Sequence, residues 1–274
     1  MTQILTDLSP ASLTTAVKAN LYAYFGSLCH SPVADFWQDA HTSRWHTPIA
    51  HSWFNGLLSN QDPAADAAQL IDETLDYFRS RHVSSFTWWL APHLQPAAWS
   101  AHLLPRGFQH DTRTPGMAVD LNALSQPATP ASLEIRRVED PETLAVWVGV
   151  CVRGFGMPQA MEPHFLELFS HQDAGMPLYS YLGSLEGTPV AAATMILGAG
   201  VAGIYNVATL PEARGKGAGT AVTLAPLLEA RQMGYRAGIL QSSEMGFNVY
   251  RRLGFQKLGQ VDYFEWQAEG ARHF

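Results

Sequence analysis

The sequence is short of charge, cysteine and long apolar runs, and each scarcity removes a class of protein. Charged residues fill 15% of the 274 positions and hydrophobic residues 47%, against about 25% charged in an average globular chain. This composition supplies ample core and excludes global disorder. Basic residues are also scarce: 17 Lys plus Arg face 24 Asp plus Glu, a formal charge of -7. Phosphate-backbone binding is therefore not the expected role, and no nucleic-acid partner is expected. The two cysteines, Cys29 and Cys151, are too few and too far apart for a disulfide framework or a cysteine zinc site, so reduced, buried thiols are expected. His41, His46 and His51 do not align on one helix face and lack a Cys or carboxylate cluster beside them; no metal site is expected. No stretch approaches about 18 uninterrupted apolar residues, and Met1 to Asn20 carry no basic segment followed by an apolar core. A soluble, cytoplasmic protein without a membrane partner is the expectation.

What is present is pattern. A stretch rich in Pro, Ala and Ser at 123–132 separates two patterned regions, which sets a first domain at 1–122, a linker at 123–132 and a second domain at 133–274. The second region alternates strands and helices. It has a strand at Leu133–Val138, a helix opened by Asp140 and Pro141, and a helix at Glu162–His171. A three-strand meander follows at Leu178–Leu185, Val190–Leu197 and Ile204–Leu210. Then come a glycine-rich loop, a helix from Thr220 to Met233, a strand at Ala237–Gln241, a helix ending at Gly254, and strands near Gln256–Leu258 and Tyr263–Trp266. The fold class is α/β of the mixed-sheet, α+β kind. The first region has a helical pattern from Ala11 to Leu28 and resists assignment between Phe36 and Asn60. It then repeats the order of the second: helix at Ala64–Arg81, strand at Ser85–Leu90, helix at Pro96–Leu104, and Gly107-Phe108-Gln109 matching Gly254-Phe255-Gln256. An internal duplication follows.

The chemistry concentrates in Arg214-Gly215-Lys216-Gly217-Ala218-Gly219-Thr220, after a strand and at a helix start. Alternating glycines let the backbone aim successive N-H groups at one point, and the helix N-terminus adds partial positive charge. Arg214 and Lys216 add two cations, which suits a pyrophosphate. The spacing is neither that of a Walker A loop nor that of a dinucleotide fingerprint. A plain glycine-rich connection with surface cations is the alternative reading of the loop taken alone.

Together with Asn248-Val249-Tyr250-Arg251-Arg252-Leu253-Gly254-Phe255, this order of elements resembles the GCN5-related N-acetyltransferase (GNAT) superfamily over residues 133–266. The resemblance implies two tandem GNAT-like domains, each a mostly antiparallel sheet flanked by helices, the first a degenerate copy. It implies acetyl-CoA as co-substrate and no metal. Arg214, Gly215, Lys216, Gly217, Ala218, Gly219 and Thr220 would hold the pyrophosphate. Val207, Ala208 and Thr209 would offer strand-edge groups to the pantetheine arm, docked like another strand where two strands splay. Tyr250 matches the helix tyrosine that protonates the departing thiolate, and Ser243 stands where many members carry a cofactor-binding Asn. Family members often place a carboxylate base roughly where Tyr205 and Asn206 stand. A water relay, Glu244 or a first-half His are the alternatives here, with Glu244 read first as a helix-charge residue. The implied activity is direct acetyl transfer to a small-molecule amine by a monomer or homodimer. The alternatives are a non-catalytic acyl-CoA-binding or sensing module and a protein N-acetyltransferase. Gly154-Phe155-Gly156-Met157-Pro158 is a lid candidate bordering the acceptor, or else a plain helix connection.

Overall fold

The computed structural model describes residues 3–28, 31–91, 94–111, 114–171, 177–268 and 270. In chain order they form α1 (Pro10–Leu28), β1 (Asp35–Gln38), β2 (Thr42–His46), β3 (Gly56–Ser59), α2 (Ala67–Ser80), β4 (Ser85–Leu90), α3 (Pro96–Leu103), β5 (Phe108–Asp111) and β6 (Pro115–Asp120). After these come β7 (Leu133–Arg137), α4 (Pro141–Gly154), α5 (Glu162–Ser170), β8 (Leu178–Leu185), β9 (Thr188–Gly198), β10 (Val201–Thr209), α6 (Ala218–Gln232), β11 (Ala237–Gln241), α7 (Glu244–Leu253), β12 (Gln256–Gln260) and β13 (Tyr263–Gln267).

Local chemistry explains many of these limits. Asp140 caps α4 by accepting the Thr143 N-H at 2.8 Å, with Pro141 in the first helical position. The meander β8–β9–β10 is joined by two-residue turns, Glu186-Gly187 and Ala199-Gly200, in which both residues have positive φ. That handedness matches the twist of paired strands.

Two mixed sheets result, each antiparallel except at one pair. The six-stranded sheet runs β1-β2-β3-β4-β13-β5, with β3 and β4 parallel; the seven-stranded sheet runs β12-β6-β11-β10-β9-β8-β7, with β10 and β11 parallel. From the outer strand inward, the two follow one plan: a meander, a helical crossover to a parallel neighbour, and a last strand inserted beside it. That inserted strand comes from the other region. β6 lies between β11 and β12, and β13 lies between β4 and β5. The exchange crosses the segment 123–132, so neither sheet is assembled from residues on one side of it.

The helix α6 covers one face of the larger sheet, where Val222, Leu227, Met117 and Ile204 share a core. On the other face lie α4, α5 and α1, the last a helix of the first region. α1 also serves the smaller sheet: Phe25 stacks on Trp45 at 3.7 Å and 16°. Burying a side chain such as Phe25 contributes about 1.5–3 kcal/mol, so α1 is a substantial part of the contact between the sheets. Trp45, Trp88, Trp99 and Trp147 are fully buried core, whereas Trp37 and Trp53 are exposed. Cys151 is a buried free thiol that burial shifts to higher pKa; Cys29 lies outside the described residues. Among the described residues no helix is long and apolar enough to cross a membrane, and no group of His, Cys, Asp and Glu gathers as a metal site.

Candidate active site

The site begins where β10 leaves its parallel partner. β10 pairs with β11 only at Ala202, Gly203 and Ile204, although it continues to Thr209 beside β9. A bulge lies between Tyr205 and Ala208 in the β9 register, with Asn206 at φ 51°, and such an extra residue bends the strand. Past Ile204 the edge of β10 therefore faces an opening and not another strand. Leu210 N-H bonds back to Val190 on β9, so the alternation of the strand turns Thr209 N-H toward the opening. Val207 packs against the α6 side and Ala208 is buried against α1 and α4.

The loop between β10 and α6 turns tightly at two glycines and ends at the N-terminus of α6. Gly215 and Gly217 have φ of 76° and 83°, a region that L side chains enter at a penalty of about 1–2 kcal/mol. Gly217 is the N-cap and offers no side chain to the helix, and the first ladder bond runs from Ala221 N-H to Gly217 C=O. The leading N-H groups of α6 thus have neither an intrahelical acceptor nor a side-chain cap. Lys216 is exposed, with no ion-pair partner among the described residues. Glu212, the nearest carboxylate in the chain, is paired with Arg153 at 2.9 Å. The Arg214 guanidinium donates to the carbonyls of Thr209 and Gly154, each at 3.3 Å. It thus ties the end of β10, the loop and the end of α4 together. Gly154-Phe155-Gly156-Met157-Pro158 is a packed helix ending: Phe155, Gly156 and Met157 N-H groups bond back into α4, and Met157 is buried.

Three of the predicted residues, Thr209, Gly219 and Tyr250, come together around Thr223. Thr209 Oγ1 lies 3.0 Å from where a β-carbon on Gly219 would stand. The Thr223 hydroxyl donates to Gly219 C=O at 2.8 Å, and the Tyr250 hydroxyl meets that same Thr223. The Tyr250 ring is buried against Phe255 and lies so near Gly246 that a β-carbon there would be 2.7 Å from Cε2. Burial pushes its phenol up to about 12, so it is protonated throughout the physiological range. Ser243 has a structural task as N-cap of α7, its hydroxyl accepting Gly246 N-H at 3.2 Å. Glu244 sits in the first turn of that helix, where a negative charge complements the dipole. Tyr205 and Asn206 are engaged with α1: Tyr205 donates to Asn20 Oδ1 at 2.9 Å, and Tyr24 donates to Asn206 Oδ1 at 3.1 Å.

Residues 181–265 match the family model described as FR47-like protein. No curated protein sequence matches the chain. Among solved structures, a GCN5-related N-acetyltransferase from Kribbella flavida aligns over 92% of this chain and 96% of its own, with a TM-score of 0.67 and 17% identity. A tandem GNAT protein from the clavulanic acid biosynthesis pathway aligns over 97% of both chains, with a TM-score of 0.59 and 13% identity. A GCN5-related N-acetyltransferase from Sphaerobacter thermophilus covers 83% of this chain and 80% of its own, at 0.59 and 14%. The chain has the tandem GNAT fold.

Within that GNAT fold, the described residues of the first half show no parting of their parallel pair like that of β10 from β11. There β3 and β4 remain paired to Ser59 and Leu90, and Ala91 N-H extends the ladder to Ser59 C=O. Trp88 donates its indole N-H to Ser59 Oγ at 3.0 Å and Trp99 donates to Gln61 C=O at 3.1 Å, both rings fully buried. Counted back from the helix-ending glycines Gly107 and Gly254, Trp99 occupies the place that Gly246 holds in the second half. No glycine occurs from 57 to 66, and Asp66 stands at the N-cap of α2, which repels an anion.

Proposed function

We propose that the chain transfers an acetyl group from acetyl-CoA to an amine of a small molecule by direct attack, using one cofactor site in residues 133–274. The observation that carries this reading is the separation of β10 from β11 beyond Ile204, directly beside the uncapped N-terminus of α6. One edge can take an extended amide chain as an added strand, and the adjoining cradle a diphosphate, through charge-assisted hydrogen bonds worth about 1.5–3 kcal/mol each. Residues 214–220 hold the diphosphate; Val207, Ala208 and Thr209 line the arm; and Ser243 borders it while capping α7. The first domain, 1–122, is a degenerate copy whose groove Trp88 and Trp99 fill.

Acetyl-CoA supplies the activated thioester. Tyr250 holds a proton at Oη and delivers it to the sulfur as the C–S bond breaks, a contribution of about 10²- to 10⁴-fold in rate. The proton lost by the amine leaves through water, because Tyr205 and Asn206 are committed to α1. The absence of a carboxylate at these two positions also favours a second reading, an acyl-CoA-binding or sensing module without turnover. Tyr250→Phe tests the choice. An enzyme loses acetyl-CoA-dependent thiol release by about 10²-fold or more while keeping cofactor affinity; if no amine, amino acid or amino sugar elicits thiol release from the unmodified protein, the sensing reading stands.

A further inference from the structure

We infer that Tyr24, on the first helix of the chain, is a positioning residue for the cofactor groove of the second half, because it clamps the β10 bulge at Asn206 in the conformation that opens the groove. The inference rests on the acetyl-CoA reading above and assigns the first half a part in that site.

Asn206 is held in the left-handed region, φ 51°, which a non-glycine residue keeps only where its surroundings over-determine it. Both ends of its carboxamide are held. Nδ2 donates to Thr194 Oγ1 on β9 at 3.2 Å, and Oδ1 accepts from the Tyr24 hydroxyl at 3.1 Å. Tyr24 is itself fixed: its ring lies flat on Tyr205, centroids 4.1 Å apart and planes 2° apart. The Tyr205 hydroxyl in turn donates to Asn20, one helical turn before Tyr24 on α1. Asn20 completes the seat by donating Nδ2 to the carbonyls of Ile196 and Gly198, at 3.3 and 2.9 Å. Two glycines make the notch. A β-carbon on Gly203 would collide with Asn20 Oδ1, and one on Gly198 would stand 2.8 Å from Ala23 Cβ. These buried polar atoms satisfy one another, and the seat ends at the residue where β10 turns away from β11. Docking of α1 therefore sets the direction in which Val207, Ala208 and Thr209 leave the sheet.

Tyr24→Phe keeps the ring stack and removes the hydroxyl that holds Asn206 Oδ1. Titration calorimetry with coenzyme A is expected to show affinity about fivefold weaker, the worth of one such hydrogen bond, with KM for acetyl-CoA rising more than kcat falls. Adding Asn206→Gly is expected to recover most of that affinity, because glycine takes a left-handed φ unaided. A role through packing alone would not be rescued by a change at 206. Unchanged affinity in Tyr24→Phe, or a loss that Asn206→Gly does not recover, would overturn the inference while the cofactor reading stands. Failure of the unmodified chain to bind coenzyme A would overturn both.

Discussion

One methyl group added at Gly246 separates the placing of the tyrosine from the making of the groove. A β-carbon at this position would lie 2.7 Å from Tyr250 Cε2, 3.3 Å from its Cζ and 3.4 Å from Ser243 Oγ. Carbon atoms in contact prefer about 3.5–4.0 Å, so the ring must retreat by roughly 1 Å. Tyr250 is only 7% exposed and packs with Phe255 and Leu253, and a close-packed core offers it no free direction. Two stability effects oppose each other: alanine in place of glycine inside a helix gains about 1 kcal/mol, and overpacking costs about 1–3 kcal/mol. The net loss of about 0–2 kcal/mol leaves a chain of ordinary stability folded. Turnover is more sensitive, since misplacing a reacting group by about 1 Å can cost about 10²-fold. Gly246→Ala is therefore expected to lower kcat for thiol release by about 10- to 100-fold. Acetyl-CoA affinity, which the proposed function assigns chiefly to residues 207–220, should stay within about twofold. Steady-state kinetics and calorimetry on the same preparation measure both. A folded variant with unaltered kcat would refute the placing of Tyr250 at the reacting atoms, and parallel loss of affinity would refute the division between ring and groove.

Other perturbations probe the remaining links. Gly217→Glu places a side chain at φ 83° and a carboxylate in the anion cradle, and calorimetry should show coenzyme A affinity reduced about 10²-fold; retained affinity would remove the cradle from the binding site. The Tyr250 phenol, raised to about 12 from an unfolded value of about 10, keeps its proton in the folded state while the unfolded chain releases it. Its contribution to stability is thus constant below about pH 10 and lost as pH climbs toward 12. A pH profile of kcat should accordingly show no descending limb from Tyr250 below about pH 10, and a limb near about pH 8 that vanishes in Tyr250→Phe would contradict the assignment. Because β6 and β13 each complete the opposite sheet, residues 133–274 expressed alone should show no cooperative thermal unfolding by circular dichroism; a sharp transition would contradict that interdependence.

Much of this architecture was legible because local chemistry decided it. The turn at Ala199-Gly200, the cap at Asp140 and the glycines of 215–219 each announce a conformation within a few residues. The stretch from Phe36 to Asn60 was not legible. Its strands are four or five residues long, β3 is buried on both faces, and β1 is largely exposed, so no clean alternation emerges. The strand exchange was hidden for a different reason. Met117 and Val119 on β6 and the alternation of β13 specify a face to bury, but period two says nothing about which sheet supplies the neighbour. At the site, the glycine loop stood out by its spacing, whereas Tyr250 was singled out only through the resemblance to the GNAT superfamily. The task of Tyr205 and Asn206 was not legible, because their partners Asn20 and Tyr24 lie far away on α1 and nothing local marks that pairing. Trp88 and Trp99 are buried core, and the proposal that they fill a first-half counterpart of the groove rests on the register of β3 and β4.

The proposed cofactor site is a single groove, built where β10 parts from β11, with Trp88 and Trp99 proposed to fill its counterpart in the first half. Calorimetric titration of the full chain with acetyl-CoA measures it directly. A stoichiometry of one cofactor per chain, abolished by Gly217→Glu, is the expected result; two equivalent sites, or no binding at all, would contradict it.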